Sequence, residues 1–245
     1  MQLTNRSIFI SGGTSGIGLA LVQQLAPKNT HIIVLARNLQ KLNLLTNQYA
    51  NVSIYQCALE DTTQVQTTLQ LIQHQHPNIS VVINNAGMQS TARFLDENFC
   101  FDSIATETAT NLIAPIQICS IMLPSLIALN TPAAIVNIGS GLALFPKIDS
   151  AVYCATKAGL HNFSQSLRYQ LEQTPIKIIE ALLPLVDTPM TQGRGSHKIT
   201  AQQAASEIID GIQNNKTEIY VGKTKWIPLL ARISPWLIAR LMKSV

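Results

Sequence analysis

Short runs of continuously apolar residues alternate with helical patterns along this chain. The runs that are typical of strands cover residues 6–11, 31–35, 53–58, 80–83, 134–138, 177–182 and 218–221. The stretches that are typical of helices cover residues 19–25, 41–49, 62–75, 102–129 and 150–173. Strands that are apolar on both faces are characteristic of parallel sheets covered by helices on each side. The alternation therefore predicts an α/β fold with a doubly wound parallel sheet.

The composition is that of a chain with one large core. Of the 245 residues, 47% are hydrophobic and only 12% are charged, which argues against intrinsic disorder. No linker, repeat or low-complexity segment interrupts the alternating pattern. We therefore predict a single Rossmann-type domain over residues 1–245, with residues 226–245 as an apolar C-terminal tail.

Charge and cysteine usage limit the kinds of partner. The net charge of +4 is modest and no basic run is interleaved with aromatic residues, so we expect no nucleic-acid partner. The cysteines lack the spacing of a zinc site or a disulfide framework, which predicts free thiols and no metal site. The N-terminus shows no signal-peptide pattern, so we expect a cytoplasmic protein. The cysteines are Cys57, Cys100, Cys119 and Cys154.

Three glycines lie between the first strand and the first helix. Glycines here permit a tight turn and a close backbone approach to a pyrophosphate, which the N-terminus of the following helix can bind. The Gly-x-x-x-Gly-x-Gly spacing differs from the usual dinucleotide fingerprint, and glycines also serve ordinary turns. The strand–loop–helix context favours a phosphate-binding loop. Its candidate cofactor-binding residues are Gly12, Thr14, Ser15, Gly16, Ile17 and Gly18.

The end of the second strand indicates which nucleotide this loop would serve. An acidic residue there would bind the ribose diol of NAD. This chain instead has Leu35-Ala36-Arg37-Asn38. Arg37 can pair with a 2′-phosphate, so we expect NADP rather than NAD. The alternative is that Arg37 is an ordinary solvated arginine.

Tyr153 and Lys157 are spaced to lie one turn apart on the same face of a helix. A free tyrosine has a pKa of about 10, and lowering it to about 7 takes about 4 kcal/mol. One ammonium group about 4 Å away supplies that much at an effective dielectric constant of about 20. The pair is therefore a candidate acid/base, with Ser140 as a hydrogen-bonding partner of the same reacting oxygen. The alternative is an ordinary exposed lysine beside a half-buried tyrosine.

Together these motifs resemble the short-chain dehydrogenase/reductase family along essentially the whole chain. Ser11-Gly12 through Gly16-Ile17-Gly18 resembles the family's Thr-Gly-x-x-x-Gly-x-Gly, and residues 84–87 match its Asn-Asn-Ala-Gly segment. Residues 84–89 and 184–188 look most like the DltE-type bacterial oxidoreductases. Two positions depart from the family: Leu185 replaces a common glycine, and Ala58 replaces a common aspartate.

The resemblance implies a role for each matched residue. Tyr153 would transfer the proton to or from the substrate oxygen, Lys157 would lower its pKa and bind the nicotinamide ribose, and Ser140 would orient the carbonyl. Asn111 would hold a water that links Lys157 to solvent. Thr188 would contact the nicotinamide carboxamide. The further implied cofactor-binding residues are Asn85, Ala86, Gly87, Pro184 and Val186.

The predicted function is that of an NADP-dependent oxidoreductase that interconverts a small-molecule carbonyl and its alcohol. The alternative is a non-catalytic NADP-binding sensor or scaffold on the same fold. A homodimer or homotetramer is expected, because the helices over 102–129 and 150–173 are apolar on more than one face. Residues 191–199 are expected to form a mobile substrate lid, with a plain surface loop as the alternative.

The tail over residues 226–245 carries many large apolar side chains together with Arg232, Arg240 and Lys243. Pro228 and Pro235 and these charges make it a poor transmembrane span. We expect it to cover the substrate side of the site or to contact a neighbouring subunit. An amphipathic segment that lies on a membrane surface is the alternative.

Overall fold

The computed structural model of the protein describes residues 1–243, and the predicted tail residues 244 and 245 lie outside them. Within this range, seven parallel strands form one sheet in the order β3-β2-β1-β4-β5-β6-β9, and two short strands, β7 and β8, pair separately. The strands are β1 (Ser7–Ser11), β2 (His31–Ala36), β3 (Val52–Gln56), β4 (Ile79–Asn84), β5 (Ala133–Ser140), β6 (Ile176–Leu183), β7 (Val186–Asp187), β8 (Ile199–Thr200) and β9 (Glu218–Tyr220).

Helices connect these strands and cover both faces of the sheet. They are α1 (Gly16–Leu25), α2 (Leu39–Gln48), α3 (Thr62–Gln75), α4 (Asp102–Thr108), α5 (Ala114–Ala128), α6 (Ala151–Gln170), α7 (Ala201–Gln213), α8 (Ile227–Ile233) and α9 (Pro235–Met242). Side chains on α1, α2 and α7 belong to the core on one face, and those on α3, α5 and α6 to the core on the other. The doubly wound parallel sheet is confirmed.

The central strands are apolar on both faces because both of their faces are buried. Ile8 and Ile10 of β1 point into the first core, whereas Phe9 between them points into the second. Every residue of β4 and β5 is buried. This two-sided burial explains the continuous apolar runs, since an antiparallel sheet with one solvated face would show alternation instead.

Local signals start several helices. Asn38, Asp61 and Thr200 are the N-cap residues of α2, α3 and α7, and each side chain accepts a hydrogen bond from a backbone N–H in the first turn. Helix α7 is absent from the helices predicted above. Its cap at Thr200 and its buried Ala204, Ile208 and Ile212 nevertheless follow a helical period.

The helix predicted over residues 102–129 is not regular throughout. A π-helical turn, Ala109–Ile113, joins α4 to α5, and such turns occur frequently at functional sites. By length and composition alone, the run Asp102–Ala128 is apolar enough to cross a membrane. In this fold Ile118, Met122 and Leu126 bury one side of it in the core.

The order of the strands locates the crevice where a ligand can bind. Strand β1 lies between β2 and β4. The chain therefore adds β2 and β3 on one side of β1 and then adds the later strands on its other side, so the strand order reverses at β1. Ligands of doubly wound sheets bind beyond the carboxyl ends of the strands at this point. The glycine-rich loop follows β1, residues 85–101 follow β4, and residues 141–150 follow β5. These three loops therefore form the rim of the site.

The C-terminal tail packs beside the loop that follows β5. The Lys243 carbonyl accepts a hydrogen bond of 3.0 Å from Ile148 N, and the Ile227 side chain lies against Gly141. Several large apolar side chains of the tail remain exposed. These are Trp226, Leu229, Leu230, Ile233, Trp236, Leu237 and Leu241.

Candidate active site

The glycine-rich loop approaches the segment after β4 closely. Gly12 has a φ of +70°, and a Cβ there would lie 2.8 Å from Ala86 Cα. A Cβ at Gly18 would collide with the Gly12 carbonyl and the Asn85 amide. Helix α1 begins at Gly16, so its first-turn N–H groups lack partners within the helix and can bind an anion. The loop fits the pyrophosphate of a dinucleotide.

The Asn-Asn-Ala-Gly segment is attached to this loop by side-chain hydrogen bonds. The Ser11 hydroxyl accepts from the backbone N–H groups of Asn85 and Ala86, both at 3.1 Å. The Asn85 amide donates to the carbonyls of Ser11 and Gly12 at 3.0 and 3.1 Å. Gly87 comes next, and Asn111 Oδ1 and Lys157 Nζ are the atoms nearest to its open side.

Asn111 lies in the π-helical turn and is fully buried. Its Oδ1 accepts a 2.9 Å hydrogen bond from Met88 N, and its Nδ2 donates to the Met88 carbonyl at 2.8 Å. A third bond of 3.3 Å connects Nδ2 to the Thr156 hydroxyl on α6. The Asn111 side chain thus holds the loop after β4 against the helix that carries Tyr153.

Ser140, Tyr153 and Lys157 meet at the carboxyl end of β5. The Ser140 hydroxyl accepts a 3.1 Å hydrogen bond from Leu142 N, and the Ser140 side chain is near enough to Tyr153 to lower the pKa of the phenol in part. Lys157 is buried one turn further along α6, where its Nζ lies 5.7 Å from the centre of the Tyr153 ring. This ammonium donates a 2.7 Å hydrogen bond to the Ile138 carbonyl. The structure therefore brings together the residues predicted to be catalytic.

Comparison with known proteins identifies the family to which this chain belongs. The family model described as "short chain dehydrogenase" matches residues 6–199. The "Uncharacterized oxidoreductase DltE" of Bacillus subtilis is 34% identical over 225 residues, which cover 89% of each chain. The chain belongs to the short-chain dehydrogenase/reductase family. The predicted resemblance to DltE-type oxidoreductases is confirmed.

Solved structures show the same fold at lower identity. A short-chain dehydrogenase from Burkholderia cenocepacia in complex with NADP has a TM-score of 0.88 and 19% identity, with complete coverage of both chains. A short-chain dehydrogenase from Sphingobium yanoikuyae in complex with NADPH has a TM-score of 0.82 and 21% identity, with 95% of each chain covered.

The electrostatics of this short-chain dehydrogenase differ from our expectation for Tyr153. Burial raises the pKa of Tyr153 to about 12, although the neighbouring Ser140 side chain lowers it in part. Burial also lowers the pKa of Lys157 to about 8, against the opposing effect of the Glu180 and Glu107 carboxylates. Our expectation of a lowered tyrosine pKa is wrong for the chain alone. Desolvation is the dominant cause, and the ammonium of Lys157 is turned toward the Ile138 carbonyl.

Glu107 is a site residue that the sequence analysis missed. This carboxyl is fully buried on α4, one turn before Asn111. Its Oε1 accepts a long hydrogen bond of 3.4 Å from Ser90 N, and its Oε2 has no hydrogen-bond partner among residues 1–243. Burial raises the pKa of Glu107 to about 7, and its charge interacts with those of Tyr153 and Lys157.

Arg37 lies at the carboxyl end of β2, as predicted. Its guanidinium is 63% exposed and faces Glu60, with 3.6 Å between Nη1 and Oε1. The position suits a ligand that approaches from solvent. Glu60 is therefore a competing partner for this guanidinium.

Pro184, Val186 and Thr188 follow β6 and carry the chain toward the glycine-rich loop. The Thr188 methyl lies against Gly16, so that a Cβ at Gly16 would be 3.0 Å from Thr188 Cγ2. Thr188 and Thr191 form a capping box that begins a short 3-10 turn. The predicted lid, residues 191–199, then returns to pair β8 with β7. The longer segment from Val186 to Thr200, which contains the predicted lid, is therefore closed at its base by a small parallel sheet.

Proposed function

We propose that this protein is an NADP-dependent oxidoreductase that interconverts a carbonyl and an alcohol, with Tyr153 as general acid/base. The supporting observation is that Tyr153 lies next to the buried ammonium of Lys157, with the Ser140 side chain near enough to lower the pKa of the phenol. Two hydroxyl groups on adjacent elements can both reach one substrate oxygen. A binding-only protein has no need of this arrangement.

In the direction of reduction, bound NADPH would supply a hydride to the carbonyl carbon. Ser140 and Tyr153 would hydrogen-bond the carbonyl oxygen, and Tyr153 would give that oxygen its proton as the alcohol forms. The raised pKa of Tyr153, about 12, keeps the phenol protonated at neutral pH and able to donate. Lys157 would bind the ribose, with Asn111 holding a water that returns the proton.

NADP is the cofactor that the site residues favour. Arg37 supplies a guanidinium at the end of β2, and β2 itself ends in Leu35-Ala36 without a carboxylate that could bind a ribose diol. Solved relatives of the same fold were obtained with NADP or NADPH. We propose that the loop over residues 12–18 binds the pyrophosphate, with residues 85–87 beside the adenosine part and Pro184, Val186 and Thr188 beside the nicotinamide.

Replacement of Tyr153 by Phe tests the proposed role. The variant keeps the ring and its packing but loses the hydroxyl that transfers the proton. We expect it to bind NADPH as the wild type does and to lose turnover across a panel of ketones and aldehydes, measured by oxidation of the reduced nicotinamide. Substantial activity in purified Tyr153→Phe would exclude the central role of this hydroxyl. NADPH binding by wild-type protein without turnover of any carbonyl would favour the sensor alternative.

We further propose that residues 1–245 act as one cytoplasmic domain that assembles into a homodimer or homotetramer. Ile113 and Ile127 at the two ends of α5 and Tyr169 on α6 are exposed apolar side chains that such an interface would cover. The tail would narrow the substrate side of the site, since Ile227 already contacts Gly141, next to Ser140. Its exposed side chains would contact a neighbouring subunit.

A further inference from the structure

Arg194 connects the predicted lid to two of the three loops at the rim of the site. Its Nη1 donates a 3.0 Å hydrogen bond to Gln89 Oε1, in the loop after β4. Gln89 Nε2 in turn donates to the Ser150 hydroxyl at 3.1 Å. Ser150 is the N-cap residue of α6, three positions before Tyr153. The guanidinium therefore lies on the side of the site where these loops meet above the catalytic tyrosine.

This location is on the substrate side rather than the phosphate side. The segment that leads to Arg194 begins at Thr188, which contacts Gly16 of the phosphate-binding loop. Six residues further along this segment, Arg194 lies beside Gln89, which in turn contacts Ser150. The charge of Arg194 also lowers the pKa of Tyr153 in part, against the larger effect of burial. The guanidinium is thus within electrostatic reach of the reacting hydroxyl.

Arg194 makes no ion pair with any residue from 1 to 243. Two lysines of the neighbouring loops do have carboxylate partners: Lys147, in the loop after β5, lies 2.8 Å from Asp149, and Lys198, in the predicted lid, lies 3.7 Å from Asp187. Gln89, the partner of Arg194, is neutral. A guanidinium has five N–H donors in a planar fork that matches a carboxylate, so most of its hydrogen-bonding capacity stays available.

The backbone on both sides of Arg194 depends on glycine. Gly193 and Gly195 have φ values of +74° and +61°, a region that other residues enter only with strain. A Cβ at Gly195 would also collide with the side chain of Leu185. Leu185 is the residue that replaces the family's common glycine, so this departure helps to shape the segment that presents Arg194.

We propose that Arg194 binds a carboxylate on the substrate, and that the protein therefore acts on oxo acids and the matching hydroxy acids. The inference rests on the proposed function, because it assigns the substrate class of the same site. The carboxylate would pair with the guanidinium while the carbonyl oxygen faces Ser140 and Tyr153. Neutral ketones of the same size would form no ion pair with Arg194, which would keep only its hydrogen bond to Gln89, and they would therefore bind more weakly.

Matched acids and esters test this assignment. Pyruvate, acetoacetate and levulinate place the carboxylate at increasing distance from the ketone, and their methyl esters are neutral controls. We expect at least one acid to have a KM about tenfold or more below that of its ester, the usual effect of a charge-assisted hydrogen bond. Arg194→Gln should remove this preference by raising KM for the acid, with kcat and the ester KM nearly unchanged. Arg194→Lys should restore part of it.

Arg93→Gln is the matched control, because Arg93 is an exposed arginine on the loop after β4, and it should leave the acid-to-ester ratio unchanged. Equal KM values for acids and esters in the wild type, or equal losses for both in Arg194→Gln, would overturn the proposal. So would a tenfold loss of NADPH affinity in Arg194→Gln, which would place the guanidinium at the cofactor.

A binding measurement separates this inference from the proposed chemistry. The Tyr153→Phe protein saturated with NADPH is titrated calorimetrically with each acid and its ester. Tighter binding of the acid, lost in Tyr153→Phe/Arg194→Gln, supports the carboxylate site even if no carbonyl is turned over by the wild type. Absence of any acid preference in this titration contradicts the inference, whereas turnover of the neutral esters would leave the proposed function standing.

Discussion

The buried carboxyl of Glu107 predicts how stability depends on pH. Its pKa is raised from 4.5 to about 7 in the folded chain, with burial as the main cause. The folded state therefore holds this proton more tightly than the unfolded state does. The stability from this group is fully present below about pH 4.5 and is lost as pH rises through about 7. At about 1.4 kcal/mol for each pH unit, the loss is about 3 kcal/mol.

Glu107→Gln removes the titrating group and keeps the shape of the side chain. The cofactor-free wild type and the variant are unfolded in urea at pH 5 and pH 8, and their free energies of unfolding are compared. We expect the variant to gain about 2.5 kcal/mol relative to the wild type between these two pH values, because part of the total is already lost at pH 5. The titration of Lys157 adds to this difference. Loss of the Glu107 carboxylate lowers the folded-state pKa of Lys157 further. A lysine whose pKa is lower in the folded state than in the unfolded state gains stability as pH rises.

Glu172→Gln is the matched control, since Glu172 is an exposed glutamate beyond the end of α6. Its stability relative to the wild type should differ between the two pH values by less than about 0.5 kcal/mol. If Glu107→Gln behaves like this control, the carboxyl of Glu107 does not take up a proton on folding and the reasoning is wrong.

Three further outcomes are expected. Arg37→Ala should weaken NADP(H) binding by about 1.5–3 kcal/mol and leave NAD(H) binding nearly unchanged, as measured by titration of both cofactors; equal losses would show that Arg37 does not select the cofactor. Light scattering at micromolar concentration should detect a dimer or tetramer, and a monomer would contradict the proposed interface. Deletion of residues 226–245 should raise KM, dissociate the subunits or cause aggregation. A soluble and fully active truncation that no longer binds anionic liposomes would favour the membrane-surface alternative instead.

The short-range features of this protein could be predicted from the sequence because they depend on local periodicity. The central strands were recognisable from continuous apolar runs, since they are buried on both faces. Tyr153 and Lys157 could be placed on one side of α6 because a helix repeats every 3.6 residues. The position of Arg37 at the end of β2 likewise follows from the length of one strand. Helix α7 was also encoded locally, through Thr200 and the apolar residues that follow it, but it was not predicted.

Only the tertiary structure decided the environment of the catalytic groups. Desolvation depends on everything packed around a side chain, so the raised pKa of Tyr153 could not be inferred from its spacing to Lys157. The Glu107 carboxylate affects the pKa of Lys157 only because α4 packs beside α6. The hydrogen bond between Arg194 and Gln89 joins residues 105 positions apart in the chain. No local pattern encodes such a pair, because it exists only when the loops after β4 and β6 meet at the same edge of the sheet.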